Sequence, residues 1–273
     1  MNRLFVTYKP TFLGSNSHLS RLKRKYKTKK AGFSGTLDPF AKGVLIIAFG
    51  KYTQLFRFLN KTPKTYRATL WLGLHSDTLD IEKNEGIDEL AEFDDSLIKY
   101  ILNSFKGEFT YVPPKYSAKK IAGKRAYDLA RANIDVALPT VTSTVYEIEL
   151  INYNHPFITF EATVSEGTYI RSIGEHISKK LGTTGALSSL ERKNEGAFFY
   201  ENEKALNPLD MIDLARNEYL ADIKDVELGR KLKLENLKFQ EDGQYLLIFE
   251  DMFSIIAVSQ QRVSYLLNKV PLC

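Results

Sequence analysis

Apolar and polar residues alternate along three stretches, 67–72, 142–152 and 157–164, and a period of two predicts strands there. In the second, Val145, Ile148 and Leu150 mark the apolar face. A period near 3.6 appears at 97–105, with Ser96 placed to cap a helix, and at 169–181, where Ile170, Ile173 and Ile177 share one side and Gly182 supplies a stop. From about Ala221 the pattern changes to short alternating runs at 233–239, 244–250 and 253–259, separated by turn residues. Strands and helices do not alternate strictly as βαβ units. The pattern predicts an α+β protein, a mixed and mainly antiparallel sheet with flanking helices, followed by a small C-terminal β module. The expected division is 1–220 and 221–273. No repeat of 20 to 50 residues and no low-complexity tract interrupts this picture.

Composition adds limits. The 273 residues are 44% hydrophobic and 12% aromatic, enough to bury a substantial core. The single cysteine, Cys273, excludes an intrachain disulfide and a thiolate metal cluster, so the cytoplasm is the expected compartment. Residues 1–10 lack the apolar centre of a signal peptide, and no apolar run approaches the roughly 20 residues that span a bilayer, so no membrane association is expected. His18, His75, His155 and His176 share no metal-binding spacing, and no metal is expected.

Charge is unevenly distributed. The net charge of +5 corresponds to a pI near 9.0 and suits a polyanionic partner without demonstrating one. Residues 21–30 include seven basic side chains, while 77–95 carry nine acidic residues against Lys83 alone. A second basic segment, 113–131, has six cations, one acid and the interleaved Tyr116 and Tyr127. Cations beside aromatics fit the phosphates and bases of a nucleic acid, although a lone basic run is more often a solvated face.

The segment that carries chemistry is Gly32-Phe33-Ser34-Gly35-Thr36-Leu37-Asp38-Pro39-Phe40-Ala41-Lys42-Gly43-Val44-Leu45. Its glycines permit close backbone approach, so Asp38 can be presented on a tightly held loop. Read locally, Asp38 followed by Pro39 is equally an N-cap and first helical residue. The longer pattern resembles the active-site motif of the TruB family of tRNA pseudouridine synthases, with Gly32, Gly35, Leu37, Asp38, Pro39, Ala41, Gly43 and Leu45 matching. Lys9-Pro10, Lys64-Thr65-Tyr66-Arg67-Ala68, Leu72-Gly73, Asp77-Thr78-Leu79-Asp80, the run 113–120, Gly167-Thr168-Tyr169-Ile170-Arg171 and Leu190-Glu191-Arg192 agree in order and spacing. Together they cover residues 1 to 215.

The resemblance implies isomerisation of the uridine at position 55, in the TΨC stem-loop of tRNA, by a monomer that uses no cofactor. It makes Asp38 the catalytic carboxylate, Arg171 its guanidinium partner and Tyr66 the ring against the target base. Tyr169 and Leu190 would line the uridine pocket with Tyr66. Residues 113–139 match the family's RNA-binding thumb loop, in which Lys119, Lys120, Lys124 and Arg125 would meet phosphates. Two departures stand out. Phe33 occupies the place of a usual histidine and implies stacking on the base without hydrogen bonding, and the stretch 11–16 after Lys9-Pro10 lacks the usual glycine then Thr-Ser. The C-terminal module sits where the family has a PUA-like domain. The rival reading is a non-catalytic tRNA-binding or tRNA-folding protein on the same scaffold. A small-molecule enzyme is disfavoured by the basic clusters and by the absence of a nucleotide-binding glycine loop.

Overall fold

The structure is a computed structural model that describes residues 1–117, 120–121, 124–125 and 138–272. Its strands in chain order are β1 (Arg3–Lys9), β2 (Ala31–Phe33), β3 (Lys42–Phe49), β4 (Lys64–Leu72), β5 (Leu74–His75), β6 (Gly86–Ile87), β7 (Gly107–Tyr111), β8 (Lys120–Ile121), β9 (Lys124–Arg125), β10 (Val141–Asn154), β11 (Phe157–Val164), β12 (Gly185–Glu195), β13 (Ala205–Leu206), β14 (Ala215–Asn217), β15 (Gly243–Ile248), β16 (Met252–Ser259) and β17 (Arg262–Pro271). The described α-helices are α1 (Ser15–Lys25), α2 (Asp95–Asn103), α3 (Ile170–Lys180) and the one-turn α4 (Lys224–Glu227).

A nine-stranded sheet runs β13-β1-β3-β12-β4-β11-β10-β7, with β2 paired to β3. It is antiparallel except where β12 meets β3. The fold is therefore of the mixed, mainly antiparallel α+β kind. The apolar residues of β4 alternate strictly, so Tyr66, Ala68, Leu70 and Leu72 face one core together with Ile98, Ile101 and Leu102 of α2 and Ile170, Ile173 and Ile177 of α3. Burying such side chains supplies roughly 1.5–3 kcal/mol each, which is why two short helices stay docked.

At the β1–β3 end of the sheet both faces are covered. Phe5, Leu45, Ile47 and Phe49 pack with Leu22 of α1. Leu4, Val6, Val44, Ile46 and Ala48 instead share a core with the 3-10 helix Gly50–Arg57 and with Leu246, Phe253, Ile255, Leu267 and Val270. These last five belong to a four-stranded sheet, β14-β15-β16-β17, whose first strand begins at Ala215.

Three local expectations are corrected. Asp94, not Ser96, caps α2, because its Oδ1 accepts from the backbone N–H of Ser96 at 2.6 Å and of Leu97 at 3.4 Å. Residues 233–239 are not a strand: Leu232 and Leu237 are buried, but the chain between them closes a 3-10 turn, with Leu237 N donating to Leu234 O at 3.0 Å. Asp38 and Pro39 start no helix either; they occupy a turn in which Ala41 N donates to Asp38 O at 3.1 Å.

Gly43 sits where β3 meets β1 and β12, opposite Lys9 and Arg192. Its φ is +116°, and a Cβ there would fall 2.2 Å from the Arg192 carbonyl oxygen. Backbone cannot yield as a side-chain tip can. Gly43→Ala should therefore cost about 2–3 kcal/mol, read as a lower urea midpoint with an unchanged slope. A loss below ~0.5 kcal/mol, the range of an ordinary surface change, would show that the close approach is not needed.

Candidate active site

The loop 34–41 between β2 and β3 is held almost atom by atom. Ser34 N donates to Ile46 O at 3.0 Å, Leu37 N donates to Ser15 Oγ at 3.0 Å, and Ser15 Oγ donates back to Leu37 O at 2.9 Å. Phe40 N donates to Glu82 Oε1 at 3.1 Å, and Arg192 Nη2 donates to Gly35 O at 3.0 Å. Lys9, at the end of β1, donates through Nζ to Pro10 O (3.0 Å), Leu13 O (2.6 Å) and Pro39 O (3.3 Å). A loop whose polar backbone atoms are paired in this way gains little freedom by moving. Leu37, Phe40 and Ala41 anchor it in the core that contains Tyr66 and Leu190.

Asp38 stands out of this loop with a third of its side chain exposed. Arg171, on the first turn of α3, lies almost wholly buried with its Nε 3.0 Å from Asp38 Oδ2. The rest of the guanidinium is spoken for. Nη1 donates to Thr78 O at 2.7 Å and lies 3.3 Å from Asp80 Oδ2, while Nη2 donates to Tyr116 O at 2.9 Å. Asp80 is itself buried and accepts from Thr78 Oγ1 at 2.6 Å and from Glu82 N at 3.0 Å. A planar fork anchored by both terminal nitrogens can aim its Nε–H in one direction only, and that direction is Asp38.

Electrostatics in this corner oppose one another. Burial among protein atoms pushes the Asp38 carboxyl above the usual carboxylate range; Arg171 pulls it down, Asp80 pushes it up and Lys9 pulls it down. Glu82 is likewise raised by burial and by the two nearby carboxylates. Burial lowers Lys9 to about 8 despite the attraction of Asp38. Two buried cations thus face a cluster of carboxylates.

The other residues expected from sequence fall into three groups. Tyr66 and Leu190 are buried in the same core as the anchors of the Asp38 loop, and Tyr169 packs against that core at the N-terminus of α3, its backbone N–H donating to Tyr111 Oη at 2.9 Å. Phe33 is placed elsewhere: it is half-buried against Phe5, Leu22, Leu45, Ile47 and Phe49, the cluster beneath α1, rather than in the core of Tyr66 and Tyr169. The reason is register, since Phe33 pairs with Ile47 and leans on that strand's α1 side. Lys119 lies outside the described residues. Lys120, Lys124 and Arg125 belong to the two-residue strands β8 and β9, paired Lys120 with Arg125. Sequence reasoning assigned no role to Ser15, Asp80 or Glu82; the acidic run 77–95 drew attention only as charge, and nothing local marks which of its members turns inward.

Residues 23–170 match the family described as TruB family pseudouridylate synthase, N-terminal domain. The chain is also 56% identical over 271 residues to tRNA pseudouridine synthase B of a Nitratiruptor species, covering 99% of this chain and 98% of that protein. The chain belongs to the TruB family. A TruB protein of Campylobacter jejuni, also named tRNA pseudouridine synthase B, is 51% identical over the whole of both chains. Among solved structures, one chain of a Cbf5–Nop10–Gar1 complex shares the fold with a TM-score of 0.67 at 18% identity, over 99% of this chain and 84% of that one. Among the described residues of this TruB chain, no group of three or more His, Cys, Asp or Glu side chains is arranged to hold a metal ion, and no helix is long and apolar enough to cross a membrane.

These charges set a pH dependence. As pH falls through the raised Asp38 value, the carboxylate takes a proton and its charge is lost; as pH rises past about 8, Lys9 loses the proton that satisfies three carbonyls. The pH profile of kcat/KM should therefore fall on both sides, with an alkaline limb near 8. Arg171→Met removes the influence that lowers Asp38 and should move the acid limb to higher pH. A flat profile from pH 7 to 9.5, or an unmoved acid limb, would contradict this reading of the site.

Proposed function

We propose that this chain converts uridine to pseudouridine at position 55 in the TΨC loop of tRNA, with Asp38 as the catalytic carboxylate. The observation that carries the reading is the Asp38–Arg171 pair: a partly exposed carboxylate aimed by a buried, threefold-anchored guanidinium, in a chain of the TruB family. A protein that only bound RNA would gain nothing from a carboxylate facing a polyanion, and this favours catalysis over the non-catalytic scaffold reading.

The chemistry is an isomerisation. The N1–C1′ bond breaks, the base turns, C5 bonds to C1′, and the proton on C5 leaves as N1 gains one. Reactant and product contain the same atoms, so the proposal requires no cofactor. The uridine must first leave its stack, which costs a few kcal/mol, offset by the pocket and by phosphate contacts. Asp38 then acts as nucleophile or as the electrostatic partner of developing positive charge on the sugar. Tyr66 supplies a ring for the base and a hydroxyl for proton transfer, and Tyr169 and Leu190 line the pocket; their common core with Leu37 and Phe40 supports this. Phe33, half-buried beneath α1, is kept in the proposal as a stacking residue with support only from its place in the family pattern.

Residues 113–139 are proposed as the thumb over the RNA, with Lys119, Lys120, Lys124 and Arg125 on phosphates. Residues 1–220 are proposed as the catalytic part and 221–273 as an accessory RNA-contacting module, into whose sheet the preceding strand β14 also pairs. The chain is proposed to act as a monomer in the cytoplasm, a setting that its single cysteine, Cys273, supports by excluding an intrachain disulfide.

Incubation with an unmodified tRNA transcript, followed by mapping of pseudouridine, tests the reading. Wild type should modify position 55, and Asp38→Asn should bind tRNA within about twofold of wild type yet form no pseudouridine above background. Equal activity in the two proteins would remove Asp38 from the chemistry, and modification elsewhere would overturn the site specificity.

A further inference from the structure

Residues 21–30 hold seven basic side chains at the C-terminal end of α1 and just beyond it. Most are exposed, Lys23 being half-buried. Among the described residues only Lys25 of this group has a carboxylate partner, Glu203 at 2.6 Å. Complementing the helix dipole accounts for Lys23, Arg24 and Lys25 in the last turn. It does not account for Lys27, Lys29 and Lys30, which lie past the helix end.

The backbone concentrates these charges instead of spreading them. Lys27 takes a positive φ of 50°, its N–H donates to Arg24 O at 3.2 Å, and Thr28 N donates to Lys23 O at 3.0 Å. The tail therefore folds back on the last turn. Ser20, Lys23, Arg24, Thr28 and Lys29 line an open cavity of about 380 Å³ there. Cations interleaved with hydroxyls suit a phosphodiester, and like charges this close repel one another until a polyanion is present.

The opposite end of α1 lies at the Asp38 loop. Ser15, the first residue of α1, exchanges hydrogen bonds with both backbone polar atoms of Leu37, next to Asp38. Eleven helical residues span about 16 Å, so a rigid rod joins the Asp38 loop to the basic cavity. An RNA with one nucleotide held at Asp38 has further phosphates within that reach. No large apolar side chain is exposed between residues 21 and 30, as insertion into a lipid surface would require.

We propose that the C-terminal end of α1, with Lys23, Arg24 and Lys29 at its centre, is a second phosphate-binding surface for the tRNA whose uridine occupies the Asp38 site. The inference rests on the proposed tRNA substrate. Its consequence is a division of labour along one helix, in which the N-terminal residue holds the catalytic loop and the C-terminal turn holds substrate backbone.

The test replaces Lys23, Arg24 and Lys29 together by Gln and measures tRNA affinity by filter binding across salt concentrations, alongside KM and kcat. A second triple variant, Lys99→Gln, Lys106→Gln and Lys204→Gln, removes the same charge from exposed positions elsewhere. The α1 variant should bind tRNA about tenfold more weakly, with a log–log salt slope shallower by about 2 to 3 and a raised KM at unchanged kcat. The control should match wild type. An unchanged slope in the α1 variant, or the same change in the control, would overturn the proposal. Wild type that binds tRNA with this salt pattern but forms no pseudouridine would instead overturn the proposed function and leave this contact standing.

Discussion

The buried guanidinium of Arg171 is the constraint on which the site depends. It uses one N–H on Asp38 and others on Asp80 and on the carbonyls of Thr78 and Tyr116, so it joins the β2–β3 loop, the acidic segment after β5 and the chain at Tyr116 to α3. Removing one member of a buried charge pair typically costs 3–5 kcal/mol because the survivor is left unpaired in a poor solvent. Here the survivor of a lost arginine would be not one carboxylate but two. The arrangement is stable only when all of its parts are present, and that makes it a means of fixing direction as well as charge.

The scaffold has to keep Asp38 still without a helix to carry it. It does so with side chains drawn from distant parts of the chain: Lys9 from β1, Ser15 from α1, Glu82 from the acidic segment and Arg192 from β12. Arg192 is in turn neutralised by the buried Glu195 at 2.7 Å, which also lies 3.1 Å from Lys64. The loop thus touches two buried ionic groups, Arg171 with Asp80 and Arg192 with Glu195 and Lys64, with its apolar residues pressed into the main core. Asp38 itself, paired with Arg171, keeps a third of its side chain exposed.

How much of this was legible from sequence depends on the range of the interaction. The strands at 67–72, 142–152 and 157–164 and the helix of Arg171 follow from local periodicity, and their ends in the structure differ by no more than three residues. Strands β1, β3 and β12 did not announce themselves, since β3 is buried on both faces and reads as a continuous apolar run with no alternation. Asp38 illustrates the limit best. Its local reading, a helix cap before Pro39, fails because the turn is set by Lys9, Ser15 and Arg192, all far away in the chain. Only the long family pattern pointed to its pairing with Arg171. Phe33 shows another side of this: the resemblance puts it in the place of a usual histidine, while the strand register, invisible in the local pattern, packs its ring toward α1.

If the direction imposed by Arg171 is what makes Asp38 competent, preserving the positive charge while losing the fork should not be enough. A lysine at 171 offers three N–H groups from one point and cannot meet Asp38, Asp80 and two carbonyls at once. The most direct measurement is the single-turnover rate of pseudouridine formation by Arg171→Lys at saturating enzyme, with tRNA affinity measured in parallel. The account requires a rate lower by about 100-fold or more, the usual cost of misplacing a reacting group by an ångström, with affinity held within about threefold. A rate close to wild type in a folded variant would contradict it, because the charge alone would then suffice.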